Sequence, residues 1–169
     1  SIPLKDGKYK KLLIELGGNQ TNKDLYTEYL YNKEIVDSIP HNEIEYAFVL
    51  HNHFDHVGNL PSLIPNGFDG KLISNVANAK LLTPILLDGA FIMNKNTRAI
   101  NSKKHNIEPL YTEEDVYLLM NKCETYSMNE IHKLDDIVSF QFVNAGHILG
   151  SCQLILYIKT PTGQVKKLH

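Results

Sequence analysis

The sequence predicts an α/β layered domain, a mixed β-sheet with flanking helices, and three observations carry that reading. Tyr46-Ala47-Phe48-Val49-Leu50 is a continuous apolar run, as expected of a strand buried on both faces. Val116, Leu119, Met120 and Cys123 recur at helical spacing behind a capping-box-like start, Thr112-Glu113-Glu114-Asp115. The 169 residues, 43% apolar and 21% charged, suit one domain with a real core.

Taken in order, Lys5-Asp6-Gly7-Lys8 signals a hairpin turn, because Asp-Gly supports the left-handed backbone such turns need. The strand after it, Tyr9 to Leu16, ends at Gly17-Gly18. A polar stretch leads to a helix from about Tyr26 to Ser38, closed by Pro40. The apolar run at 46–50 then feeds straight into a histidine cluster. His56 to Leu63 reads as a short helix and Lys71 to Ser74 as a strand. Asn75 to Met93 has helical spacing, with Pro84 expected to kink or divide it. Asn94 to Pro109 is polar and reads as a loop before the Thr112 helix. Ile137 to Val143 and Cys152 to Ile158 are strands flanking Asn144-Ala145-Gly146-His147. Thr160-Pro161-Thr162-Gly163 turns the chain into a last strand, Gln164 to His169. The reading gives six or seven strands and about four helices, with no repeat and no low-complexity linker.

Composition narrows the function classes. A net charge of −2 lacks the basic footprint of a typical nucleic-acid binder, although Lys5, Lys8, Lys10 and Lys11, and the stretch Lys95 to Lys104, are locally basic. Solvated faces are the plainer reading of both clusters. No stretch approaches the ~20 consecutive apolar residues of a membrane span. The N-terminus has no signal-peptide anatomy. Cys123 and Cys152 form no spaced motif and read as reduced core residues, which points to the cytoplasm.

His51-Asn52-His53-Phe54-Asp55-His56 is the sharpest signal. Catalytic zinc takes neutral imidazole and carboxylate ligands and keeps a position open for water. His51 and His53 alternate along an extended segment, so both can reach one metal from the same side. Asp55 and His56 follow where the chain turns into a helix and can face a second metal. A buried strand feeding such a loop is a rigid platform. A histidine-rich surface loop is the competing reading, and the spacing argues against it. His147 offers a second constellation: flanked by Gly146 and Gly150 between two strands, it could complete a three-histidine set with His51 and His53.

These residues resemble a known family. His51-Asn52-His53-Phe54-Asp55-His56-Val57-Gly58-Asn59-Leu60-Pro61 is similar to the second motif of metallo-β-lactamase-fold hydrolases, in the form seen in the β-CASP subgroup of RNA- and DNA-processing nucleases. Ala145-Gly146-His147-Ile148-Leu149-Gly150-Ser151 resembles that subgroup's third motif. Pro84-Ile85-Leu86-Leu87-Asp88 and the segment from Pro109 to Val116 look like its connecting segments. The resemblance covers Lys11 to Ile158 at least.

The resemblance implies an αββα sandwich, of which residues 1–169 would be the N-terminal part, with the rest of the domain and the β-CASP domain beyond it. It implies two Zn2+ ions, one held by His51, His53 and His147 and the other served by Asp55 and His56. A water or hydroxide shared by the ions would attack a phosphodiester, and Asp55 could hold it as well as bind metal. Glu15 stands where the family usually has aspartate, as a carboxylate orienting ligands from behind. The family's bridging aspartate would follow His169, so the isolated chain is expected to be nearly inactive. The implied substrate is RNA or another phosphodiester, with a homodimer as an expected assembly and no membrane partner. Two other functions compete: a metallo-β-lactamase-fold hydrolase of small thioesters or lactams, and a non-catalytic scaffold member, which the intact ligand set argues against. His41, His105, His132 and His169 are set aside as surface or terminal residues, and Tyr26, Tyr29 and Tyr31 as packing of a helix on the sheet.

Overall fold

Alternation along one central strand sorts the core into two layers. In the computed structural model, which describes residues 1–4, 6–20 and 24–169, strand β3 (Ile44–Phe48) lies in the middle of a five-stranded sheet. Ala47 and Val49 belong to one hydrophobic cluster, and Tyr46 and Phe48 to the other. Both faces of the run are therefore buried, which is why it carries no polar alternation.

The first sheet has the order β1 (Ile2–Pro3), β2 (Tyr9–Ile14), β3, β4 (Lys71–Asn75), β5 (Cys123–Tyr126). Strands β2 to β5 are parallel, and β1 pairs antiparallel with β2 through the expected hairpin. Lys5 of that turn lies outside the described residues; Gly7 has a φ of 79°. The second sheet is antiparallel in the order β6 (Ile131–Lys133), β7 (Val138–Asn144), β8 (Cys152–Lys159), β9 (Val165–Leu168). Between the sheets Phe48, Phe140 and Phe142 interlock edge to face, with centroids 5.4 Å (Phe48–Phe140) and 4.9 Å (Phe140–Phe142) apart. Each such buried ring contributes about 1.5–3 kcal/mol.

Helices α1 (Leu25–Asp37), α3 (Val76–Asn101) and α4 (Glu113–Asn121) contribute to the other cluster, through Ile35, Leu82, Leu86, Ala90, Val116 and Leu119. The layers run helix, sheet, sheet. The mixed sheet-and-helix class expected from the sequence is present.

Several local expectations need correction. The segment His56 to Leu63 is two short turns, α2 (Phe54–Val57) and a 3-10 turn at Leu60–Leu63. Asn59 splits them because its N–H donates to the Leu16 carbonyl instead of continuing a helix. Helix α3 is not divided at Pro84 and runs through the expected loop to Asn101, because Thr97 and Ile100 are buried by packing that periodicity does not reveal. Cys123 begins β5 rather than ending α4, and among the described residues there are nine strands. The α1 tyrosines do not pack on the sheet. Tyr26 stacks on His105 at 3.9 Å, Tyr29 donates to the Glu108 carbonyl, and Tyr31 is exposed, while Asn32 and Val36 face inward. His41 is buried, its Nε2 2.8 Å from the Val36 carbonyl oxygen. Helix α3 is also long and apolar enough, by length and composition alone, to cross a membrane. Here Leu82, Leu86 and Ala90 are buried in the core.

One polar staple joins the sheets. Lys10, buried on β2, donates to Glu45 and, at 2.7 Å, to Asp135 in the turn between β6 and β7. The Tyr46 hydroxyl donates to the same Asp135 oxygen at 3.0 Å. Burial opposes the charge on Lys10, but the hydrogen bonds from the ammonium to Asp135 and Glu45 outweigh it and raise the pKa.

Candidate metal centre

The functional residues gather where the parallel strands end, the usual position for a site in an open α/β sheet. Glu15 follows β2, the histidine cluster follows β3, and the turn between β7 and β8 brings His147 over the same edge. His51, His53 and His147 each offer a ligand atom within 4.8 Å of the others. Glu15, His51 and His56 form a second such set, sharing His51. Five of the six residues singled out by sequence thus meet in two adjoining groups. Asp55 does not: its side chain is 77% exposed, with Oδ2 3.7 Å from His56 Nε2.

Local geometry explains each placement. Glu15 has a φ of +60°, a left-handed conformation that is uncommon for a non-glycine residue. Its Oε2 lies 2.6 Å from His56 Nδ1 and its Oε1 3.5 Å from His51 Nδ1. The strand-end loop and the ligand loop are stitched together by backbone: Leu16 N–H donates to the His56 carbonyl and Gly18 N–H to the Phe54 carbonyl. Gly17 is required there, because a Cβ at that position would sit 1.7 Å from the Asp55 carbonyl oxygen. On the other loop, Ser151 Oγ accepts from the N–H groups of His147 and Ile148 at 3.0 and 3.1 Å, fixing the turn that presents the histidine.

One donor pair stands at the separation that a tetrahedral metal ion requires. His147 Nε2 and His53 Nδ1 face each other at 3.3 Å. Two nitrogens bound at about 2.05 Å to a tetrahedral ion stand about 3.35 Å apart. Glu15 Oε1 is buried without a hydrogen-bond partner among the described residues, an acceptor that a cation would satisfy. Burial first, then repulsion from His56, lowers the His51 pKa despite the opposing pull of Glu15. The neutral imidazole that a metal needs is favoured. The histidine clusters can therefore hold a divalent metal. An apolar cavity of about 380 Å³ opens elsewhere, between α1 and α3, and shares only Phe54 with the ligand loop.

Sequence reasoning passed over three asparagines. Asn52, inside the first ligand loop, and Asn75 and Asn78, behind both loops, are all buried. Their one sequence signal is a helix cap immediately after a buried strand, Ser74-Asn75-Val76-Ala77-Asn78.

No protein-family model matches the chain. Among curated proteins it is 28% identical over 141 residues to "Transcription termination factor FttA" of Methanosarcina mazei, covering 83% of this chain and 20% of that protein. It is 32% identical over 126 residues to "Cleavage and polyadenylation specificity factor 73" of Drosophila melanogaster, covering 73% and 17%. It is 27% identical over 113 residues to "Ribonuclease TTHA0252" of Thermus thermophilus, covering 67% and 23%. The chain spans about a fifth of the length of these relatives. Among solved structures it is similar to MEM-A1, a subclass B3 metallo-β-lactamase from a soil metagenome library. The TM-score is 0.50 at 15% identity, over 92% of this chain and 50% of that one.

Proposed function

We infer from this metallo-β-lactamase-fold chain of the β-CASP group that it belongs to a zinc-dependent nuclease acting on RNA. The observation that carries the reading is the convergence of His51, His53 and His147, with His56 oriented by Glu15 beside them. Bound zinc supplies Lewis acidity, which stabilises charge developing on a phosphoryl oxygen and makes water nucleophilic near neutral pH.

The chain's own residues divide the remaining work. His51, His53 and His147 would hold the first ion. His56 and Asp55 would serve the second, with Glu15 fixing the His56 ring through Nδ1 and leaving Nε2 for the ligand role. Asp55, exposed at the mouth of the site, is assigned to holding the attacking water. We further propose that the rest of the domain, the β-CASP domain and a further carboxylate that would serve the metals belong to the remainder of a longer protein, in line with the coverage of the relatives.

RNA as substrate is supported by the names of the three relatives. In the early basic cluster Lys8, Lys10 and Lys11 are paired with carboxylates. Among the described residues Lys95, Arg98, Lys103 and Lys104 make no ion pair, and all four are exposed. A cytoplasmic setting is consistent with two unpaired cysteines, whose thiols burial pushes up to about 11.

Zinc titration after chelation tests the site, comparing the chain with His53→Ala and His147→Ala. Equal binding by all three would show that the ligands are misassigned. For substrate, the full-length protein is assayed on single-stranded RNA and on small thioesters and lactams across a salt series. Cleavage of RNA with affinity falling steeply in salt is expected. Turnover of the small substrates alone would replace this reading with the small-molecule hydrolase.

A further inference from the structure

The two ligand loops come from different sheets, so something must fix their separation. Behind them sits the first turn of α3, which begins directly after β4. Asn75 caps that helix, its Oδ1 accepting from Asn78 N–H at 3.0 Å. The other end of the Asn75 amide reaches the second loop, Nδ2 donating to the Gly150 carbonyl at 2.7 Å. Asn78 reaches the first loop, its Nδ2 donating to the Leu50 carbonyl at 3.0 Å, next to His51. Asn52, between His51 and His53, donates back to the Asn78 carbonyl at 3.0 Å. The Leu50 carbonyl also accepts from Cys152 N–H at 2.9 Å, so three elements share one oxygen.

All three asparagines are at least 97% buried, which makes the orientation of each amide costly to change. Contact is also tight on the His147 side. Gly150 has a φ of +83°, and a Cβ there would meet Asn78 Oδ1 at 2.5 Å. The loop bearing His147 is thereby pressed against the α3 turn that holds the loop bearing His51 and His53.

We propose that Asn75 and Asn78 are positioning residues for the metal centre: from the α3 cap they set the distance between His147 and the His51/His53 pair. The proposal rests on the metal-site reading above and adds what keeps its ligands at bonding separation. Neither asparagine belongs to the candidate ligand groups. The 3.3 Å approach of His147 Nε2 to His53 Nδ1 spans the two loops the hub connects. Loosening the hub should therefore weaken binding without removing a ligand.

Asn75→Ser separates the two roles, because serine still caps a helix but is too short to reach the Gly150 carbonyl. Asn75→Asp is the companion variant, keeping size and cap while losing the donor. The full-length protein and both variants in it are compared by zinc affinity in chelator competition, by the visible spectrum of the cobalt-substituted protein, and by melting of the metal-free form. The expected result is a zinc Kd raised about tenfold, a shifted cobalt spectrum, and metal-free melting of Asn75→Ser lowered only by the few degrees that one lost buried hydrogen bond costs. Should Asn75→Ser fail to fold, Asn75→Asp is read by the same measurements. Parental affinity and spectrum in a folded variant, with binding lost in His147→Ala, would overturn the positioning role and leave the metal site standing. No zinc binding by the full-length parent would overturn both.

Discussion

Gly17→Ala is the most direct test of how the ligand loop is held. The added Cβ would lie 1.7 Å from the Asp55 carbonyl oxygen and 2.4 Å from its carbon, where ordinary contact begins at 3.4 Å. Both neighbours are backbone, so no side-chain rotation relieves the clash. The strand-end loop and the ligand loop must part by more than 1 Å. That separation breaks the Leu16 to His56 and Gly18 to Phe54 backbone bonds, now 3.0 and 2.8 Å. Two such bonds at about 1 kcal/mol each, with overpacking strain of at least about 1 kcal/mol, put the loss near 3 kcal/mol. For a domain of this size the melting temperature should fall by about 6–12 °C. The same movement takes Glu15 Oε2 out of hydrogen-bond range of His56 Nδ1, now 2.6 Å. Losing an orienting partner weakens a metal site by about 10–100-fold. Calorimetric zinc titration with parallel thermal melts measures both effects. A variant that melts within a degree of the parent and takes up zinc alike would refute the argument that Gly17 sets this approach.

Two further perturbations probe the frame around the site. Asp135→Asn keeps the size of the side chain but turns an amide N–H towards Lys10 and Tyr46, both of which donate to Asp135. Breaking a fully buried pair costs about 3–5 kcal/mol; here the carboxylate is partly exposed and Lys10 keeps Glu45, so about 2 kcal/mol is expected in urea unfolding. Burial alone would raise the Asp135 pKa, but hydrogen bonds from Lys10, Ile137, Val138 and Tyr46 hold it below the usual carboxylate range. A depressed folded pKa stabilises above the unfolded value and is lost as pH falls through the folded one. The advantage of the parent over Asp135→Asn should therefore be full at pH 7 and shrink below about pH 4; an advantage independent of pH would contradict it. Tyr111→Phe removes a buried hydroxyl that donates to the Gly58 carbonyl at 2.7 Å, just behind the ligand loop. A loss of about 1–2 kcal/mol is expected from denaturant unfolding, and no change would mean the bond has no net value.

What was legible in the sequence is what local chemistry dictates. The buried strand at 46–50, the hairpin at Gly7 and the capping box at Thr112 follow from residue types and their immediate neighbours. The ligand types at 51–56 and at 147 were equally open to reading, because metal chemistry restricts them to few side chains at close spacing. Helix α3 was ended too early, at Met93, because burial of Thr97 and Ile100 is settled by elements distant in sequence. Strands β5 and β6 were missed for a similar reason. Cys123–Tyr126 is short and polar, and becomes a strand by pairing with β4.

By itself, then, the sequence determined the fold class and which side chains are offered as candidate metal ligands, since both depend on composition and short-range pattern. Only the tertiary structure decided how those side chains meet. It brings His147 to His53 across 94 positions, turns Glu15 onto His56 through a left-handed backbone, and leaves Asp55 facing outward. It also linked an asparagine of the first ligand loop to two at the start of α3 and joined those to both loops. Their roles come from partners on other elements, and a hydrogen bond across such distances leaves no periodicity in the chain.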